Sequence, residues 1–302
     1  MRRGAELLSS FDKSWEDFSK AWRKARAKAS EKSIHDLRVS TRRLIANLQL
    51  AQSLSRRDGI PKLHRRFKKV FKSMGPLRDI QVQLENLRQV TQNGLVARFK
   101  DTLVRRERRH IKKIHDELTR GTKHRLNRDV KHVFSELEGD YKSFTDARIQ
   151  AAVARVLNAR RNEFLKAERH FQRVHAVDEE ALHEMRIALK KMRYVVEAAV
   201  PVLGPSARER ARQMQAFQQL MGDSRDLEML RAELEAWARK RGKKIAIVPA
   251  LEQLREKRDI LIKKIVESSS EIDKLFQTAS PKPVSETTRA AGTPAPTSVP
   301  AV

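Results

Sequence analysis

Residues 35–44 read HDLRVSTRRL and residues 183–192 read HEMRIALKKM, and both set a histidine ahead of basic residues at offsets of three, seven and eight. On a helix turning 100° per residue, offsets of zero, three, seven and ten span about 80° of the circumference, so those side chains share one stripe. In the second segment the stripe is His183, Arg186, Lys190 and Arg193, with Lys191 at its margin, while Leu182, Met185, Leu189, Met192 and Val196 fill a neighbouring apolar face. The first segment carries His35, Arg38, Arg42 and Arg43 beside Leu37, Leu44 and Leu48, but its offset ten is Ile45, which shortens the stripe. Both segments read as amphipathic helices with a basic edge.

The pairing extends downstream. MGPLRDIQVQL at 74–84 is echoed by MGDSRDLEML at 221–230, so Gly75, Arg78 and Asp79 match Gly222, Arg225 and Asp226 at nearly the spacing, 148 residues, that separates His35 from His183. Two motifs in the same order at nearly equal separation indicate an internal duplication. The expected architecture is all-α: two pseudo-symmetric helical bundles enclosing a basic groove, one repeat at residues 1–140 and the other at 141–277, related by an approximate twofold axis.

Composition supports helices and names the sign of the partner. Glycine and proline, ten each, are sparse in a chain rich in Leu, Ala, Glu, Lys, Arg and Gln, a mixture that favours long helices over strands. Lysine and arginine number 65 against 38 acids, a formal net charge of +27, which implies a polyanion or an acidic surface as partner. The absence of cysteine excludes disulfides and thiolate metal sites. No apolar run approaches the roughly 18 residues that span a bilayer, and the opening MRRGAELLSSFDKSW lacks the apolar segment of a secretory signal, so a cytoplasmic protein without membrane insertion is expected. From Thr278 the chain holds half of its prolines and few large apolar residues, the composition of a disordered Pro/Ala/Thr-rich tail over 278–302.

Along the chain, Phe11, Trp15, Phe18 and Trp22 fall at helical spacing and predict a core stripe rather than a base-stacking platform. Ser33 with Asp36 resembles a capping pair opening a second helix that runs to about Ser55, and Pro61 suits the first turn of a third, ended by Gly75 and Pro76. Further helices are expected over about 77–92, 95–118 and 124–138, with Gly94, Gly121 and Gly139 as punctuation. A long helix should cover Asp146 to Arg173, and Asp178 should cap the helix of the second histidine motif, terminated by Pro201, Gly204 and Pro205. Helices over about 206–221, 224–240 and 249–276 complete the reading.

Taken singly, each Arg or Lys of the stripes is what a solvated helix face carries, and a histidine is more often a satisfied structural group than a ligand. Repetition in register is what solvation does not demand. If the halves bring both stripes to one groove, guanidinium forks, ammonium groups and imidazole N–H donors converge, and phosphate oxygens satisfy all of them. A linear chain of phosphates would gain from every contact and release condensed counterions.

HDLRVSTRRL, LHEMRIALKKMRY and the two Gly-x-x-Arg-Asp segments together resemble the conserved histidine α-helical domain, or CHAD, family over about residues 5–277. The resemblance implies a domain that binds inorganic polyphosphate in a basic groove, without cofactor or metal, and that associates with polyphosphate granules. It implies that His35, Arg38, Arg42, Arg43, His183, Arg186, Lys190, Lys191 and Arg193 face the ligand. Arg78 and Arg225 match as a second rank, each followed by an acid that suits a structural ion pair. The clusters RRERRHIKK at 105–113 and LREKRDILIKK at 254–264 add Arg105, Arg109, Arg255 and Arg258, for which a solvated face is the competing reading.

Nonspecific nucleic-acid binding is the chief rival, since the net charge attracts RNA or DNA whatever the evolved ligand. Aromatics at 5% and the lack of RNP, KH or zinc-finger patterns argue against sequence-specific reading. A metal-dependent phosphohydrolase is the enzymatic alternative. No HExxH or P-loop occurs, and His110 with His115 and His170 with His175 are five apart, a poor fit to one helix face.

Overall fold

The structure, a computed structural model, describes the backbone of residues 3–174, 178–243 and 245–277 and the side chains of these as far as Ser269; the expected tail over 278–302 lies outside the described residues. The described residues form α-helices and one short 3₁₀ turn, with no strand, so the fold is all-α. In chain order the helices are α1 (Arg3–Ala27), α2 (Glu31–Leu54), α3 (Gly59–Ser73), α4 (Gly75–Leu87), α5 (Gly94–Thr119), α6 (Thr122–Ser143), α7 (Asp146–Arg173), α8 (Glu179–Leu203), α9 (Ser206–Arg239) and α10 (Val248–Gln277).

Local chemistry explains most of the boundaries. The Asp178 carboxylate accepts from the backbone N–H groups of Glu180 and Ala181 at 2.8 and 3.3 Å, and opens α8 as expected. Asn93 does the same for α5 and Thr145 for α7. At α2 the capping residue is Ser30, not Ser33: the Ser30 hydroxyl accepts from Ser33 N at 3.2 Å, and Ser33 turns its own hydroxyl back to the Lys28 carbonyl at 2.6 Å. Gly204, at φ 84 and ψ −180, takes a positive-φ conformation open to glycine and closes α8.

Three expected breaks are absent: Pro201, expected to help end α8, lies inside it, and the helix runs on to Leu203. Gly139 lies inside α6, and the two helices expected over 206–221 and 224–240 are one, α9. The contrast with the first half is instructive, because Met74-Gly75-Pro76 separates α3 from α4 whereas the matching Met221-Gly222-Asp223 runs straight through. Glycine alone costs a helix about 1 kcal/mol relative to alanine; proline also removes an amide donor and clashes with the preceding turn, about 3 kcal/mol.

Buried apolar residues form two clusters. The larger joins α1, α2, α3, α6, α7, α8, the first part of α9 to Met221, Leu77 of α4, the end of α5 at Ile114 and Leu118, and Ile265 of α10; the smaller joins α4 from Ile80, the start of α5, the rest of α9 from Leu227 and the start of α10. Both clusters draw on both halves of the chain, so the sequence repeat does not coincide with the apolar packing. The α1 stripe is core: Phe11, Phe18 and Trp22 are buried, and Phe18 meets Phe67 of α3 edge-on at 5.2 Å between ring centroids. Each such fully buried side chain contributes roughly 1.5–3 kcal/mol. The changeover between the clusters falls between Leu77 and Ile80 on α4 and between Met221 and Leu227 on α9, a few residues past the motif glycines Gly75 and Gly222, which the stripe arginines Arg38 and Arg186 approach.

Candidate functional site

Helices α2 and α8 pack against each other with their basic edges on a common side. The Arg42 guanidinium donates to the Tyr194 hydroxyl of α8 at 3.3 Å, which ties the two stripes directly. Phe71, near the end of α3, forms part of the wall: the Arg38 and Arg42 guanidiniums lie 4.4 and 4.7 Å from its ring centroid, and Arg38 also donates to the Phe71 carbonyl at 3.2 Å. These contacts hold two guanidiniums side by side, a position like charges reach only when packing compels it.

The glycines of the second motif serve the same place. A β-carbon at Gly75 would lie 3.9 Å from Arg38 Nη1, and one at Gly222 would lie 3.7 Å from Arg186 Nε and Nη2. Alanine would fit at that distance, but any longer side chain would occupy the space of the guanidinium. Each half therefore rests its first stripe arginine on a bare turn of helix.

The charges act across the two halves. Burial, then Arg42, pulls the Arg38 guanidinium down to about 10. Burial followed by Arg42, Arg186, Arg38 and Arg193 pulls the Lys190 ammonium down to about 7. No carboxylate among the described residues pairs with Lys190. Arg42 is the strongest cationic neighbour of Lys190 and also acts on Arg186, so one arginine of α2 stands against both cations of α8. His35 is lowered by burial and then Arg78, with Arg42 and Arg38 also acting on it, and His183 by burial and then Arg225, with Arg186 and Lys190 also acting, so each histidine is coupled to the stripe of its own helix.

Two carboxylates lie beside these cations. Burial raises Asp79, against the pull of Arg38, Arg78 and Arg186. Burial raises Asp226 to about 6, where Arg186 and Arg78 pull down while Asp223 and Asp79 push up. The strip thus holds more cations than acids and leaves donors unmet: Arg42 Nε, Arg186 Nε and the ring nitrogen His183 Nδ1 are buried without a hydrogen-bond partner among the described residues.

The structure brings together His35, Arg38, Arg42, His183, Arg186 and Lys190, and sets three expected members apart. Arg193 is buried and engaged, donating to Gln218 at 3.0 Å and to Glu197. Its counterpart Ile45 also packs against the core, so offset ten turns inward in both halves. Arg43 faces Glu197 at 3.9 Å beside a separate recess that also borders α1 and α9, and Lys191 pairs with Glu163 of α7 at 3.6 Å. Offset eight, 80° round the helix from the histidine, points away from the strip.

Of the second rank, Arg78 donates to Glu31 at 2.6 Å, not to the neighbouring Asp79, and stays beside His35. Arg225 lines a small recess with His183 and Arg186. Arg258 reaches that recess but lies within 3.8 Å of Glu179, Glu228 and Asp259. Arg105, Arg109 and Arg255 are exposed; Arg105 reaches its own helix at Thr102 and Arg255 lies 3.9 Å from Asp259. Sequence reasoning missed Phe71 and Tyr194 as wall residues. Tyr194 carried a faint signal, one position past Arg193 in the second motif; Phe71 carried none.

The model of the CHAD domain family matches residues 9–235. The chain belongs to the CHAD family. A CHAD-domain crystal structure from the plant Ricinus communis matches with a TM-score of 0.64 at 15% identity, covering 92% of this chain and 91% of that one. PptA from Streptomyces chartreusis matches at 17% identity with a TM-score of 0.49, covering 92% of this chain and 99% of that one. No curated protein matches the sequence. The CHAD helices that carry the histidine motifs, α2 and α8, lie wholly within the matched span. Among the described residues no three His, Asp or Glu side chains gather as a metal site, and no helix is long and apolar enough to cross a membrane.

Proposed function

We propose that the protein binds inorganic polyphosphate, without turning it over, in the strip formed by His35, Arg38, Arg42, His183, Arg186 and Lys190, with an approximate twofold relation between the halves. One observation carries the reading: cations from two helices are packed together, partly desolvated, with no carboxylate paired to Lys190 among the described residues, so a bound polyanion would relieve a repulsion the fold builds in. Phosphate oxygens accept from guanidinium, ammonium and imidazole alike, and a linear chain of them matches an elongated strip. Binding rather than hydrolysis is favoured because the neighbouring acids, Asp79 and Asp226, sit among guanidiniums and not against a nucleophile. Association with polyphosphate granules follows as the proposed location.

Titration of the purified protein with polyphosphate, RNA and inositol phosphates in one buffer tests this. Polyphosphate should bind tightest and displace RNA at matched phosphate concentration and salt. Arg186→Glu with Lys190→Glu should lower polyphosphate affinity by about 100-fold or more, since each reversal turns an attraction into a repulsion in a partly desolvated site, with an unchanged helical CD spectrum. Preference for RNA would favour the nucleic-acid reading, and phosphate release in the presence of Mg²⁺ or Mn²⁺ would show an enzyme.

A further inference from the structure

The strip does not account for the cations of α3. Phe71 forms part of the wall, and Lys68 and His64 lie three and seven residues earlier, on the same side of α3. His64 Nε2 is 3.5 Å from Nε2 of Gln49, which lies seven residues past Arg42 on α2. The seam between α2 and α3 thus runs from Arg38 and Arg42, past Phe71, to Gln49 and His64, both half-buried. Beyond it, over about 120° of the solvent side of α3 with Lys68 nearest Phe71, Lys62, Arg65, Lys68, Lys69 and Lys72 are all exposed. None of the five pairs with a carboxylate among the described residues, whereas their neighbour Arg66 is bound to Asp129. From Lys62 to Lys72 the helix rises about 15 Å.

The other half supplies the comparison. With Met74-Gly75 set against Met221-Gly222, the buried positions of α3 recur in α9, Phe67, Val70 and Met74 against Met214, Phe217 and Met221. The five exposed positions become Glu209, Arg212, Gln215, Ala216 and Gln219, and the one cation among them is paired with Glu209 at 3.1 Å. The fold keeps the core positions without the charges. Like charges at helical neighbour spacing cost a few tenths of a kcal/mol per pair, so stability does not explain the α3 row either.

We propose that this face of α3 extends the groove as a track for the part of a long polyphosphate chain that overhangs the central strip, which makes the two ends of the site unequal. The proposal rests on the polyphosphate reading above and adds a preference for chain length. Its chemistry is plain counterion replacement along an exposed row of cations, with no built pocket.

The test compares tripolyphosphate with long-chain polyphosphate on the full chain and on a variant with Lys62, Arg65, Lys68, Lys69 and Lys72 all changed to Gln. The variant should lose about tenfold or more in long-chain affinity at low salt, and its log-affinity against log-salt slope should flatten by about three to four. Tripolyphosphate affinity and the CD spectrum should stay as in the wild type. A control with Arg98, Lys100, Arg108, Lys112 and Lys113 changed to Gln, which removes equal charge from exposed positions of α5, should keep the long-chain affinity. Unchanged long-chain affinity in the α3 variant, or an equal loss in the control, would overturn the track. So would loss of RNA binding alone, which would make the face a nucleic-acid surface. If tripolyphosphate fails to bind the wild type and Arg186→Glu with Lys190→Glu changes nothing, the groove reading falls; a loss in the α3 variant would then mark an independent site, not an extension.

Discussion

Lys190 is the residue at which burial and like charge meet most sharply. Its ammonium sits at about 7 instead of 10.5, so near neutrality much of the free protein carries it as an amine. A bound polyanion favours the ammonium, and binding should take up a proton. Calorimetry near pH 7.5 in buffers of different ionisation enthalpy should show net uptake that largely disappears in Lys190→Arg; buffer-independent heats would rule the coupling out. Asp226, raised to about 6, acts in the same direction, because its carboxylate opposes the ligand above that pH and is neutral below it. The lowered histidines gain charge only below 6.5. Affinity should therefore rise steadily from pH 8 to pH 5, measured at constant ionic strength. The free protein follows a different rule: with the folded pKa of Lys190 below the unfolded one, its penalty is full below about pH 7 and is relieved as pH rises towards 10.5, whereas the contribution of Asp226 is present below 3.8 and lost as pH rises through about 6.

At the scale of the helix, position on the circumference decides whether a matching residue joins the cationic strip. Offsets three and seven do; offset eight turns to Glu163 or Glu197, and offset ten turns to the core. The glycine beneath each arginine is a second control. Gly222→Ala should leave polyphosphate affinity nearly unchanged, because a β-carbon there makes only ordinary contact, while Gly222→Leu should displace Arg186 and weaken binding by about tenfold or more, a loss of one good charge-assisted contact. Equal affinity of both variants would show that Arg186 needs no such shelf. Helix α8 depends on its cap: Asp178→Ala leaves two amides without their acceptor and should destabilise the protein by about 1 kcal/mol in denaturant titration, with little change in affinity.

For the whole molecule, a net charge of +27 on a folded chain means self-repulsion that ligand and salt relieve in different ways. Added sodium chloride should raise the melting temperature of the free protein by screening. Polyphosphate should raise it further, and that increment should shrink as salt increases. A melting temperature indifferent to polyphosphate at low salt would contradict the proposed site. The same charge explains why RNA must be a competitor in every assay rather than an afterthought.

Helical class, the duplicated motifs and the six residues of the strip were legible in the amino-acid order, because amphipathic periodicity and repetition are properties of the chain itself. So was the break at Pro76, since a missing amide donor acts locally. The continuity of α9 through Gly222 was not, because a glycine's small helical penalty is overridden by the packing of residues on either side. Nor could sequence show that Arg193 turns to Glu197, that Phe71 lies under two guanidiniums, or that each apolar cluster draws on both halves. Those outcomes depend on which helices become neighbours, and partners far apart in the chain are chosen by the burial of the whole core, not by the residues beside them.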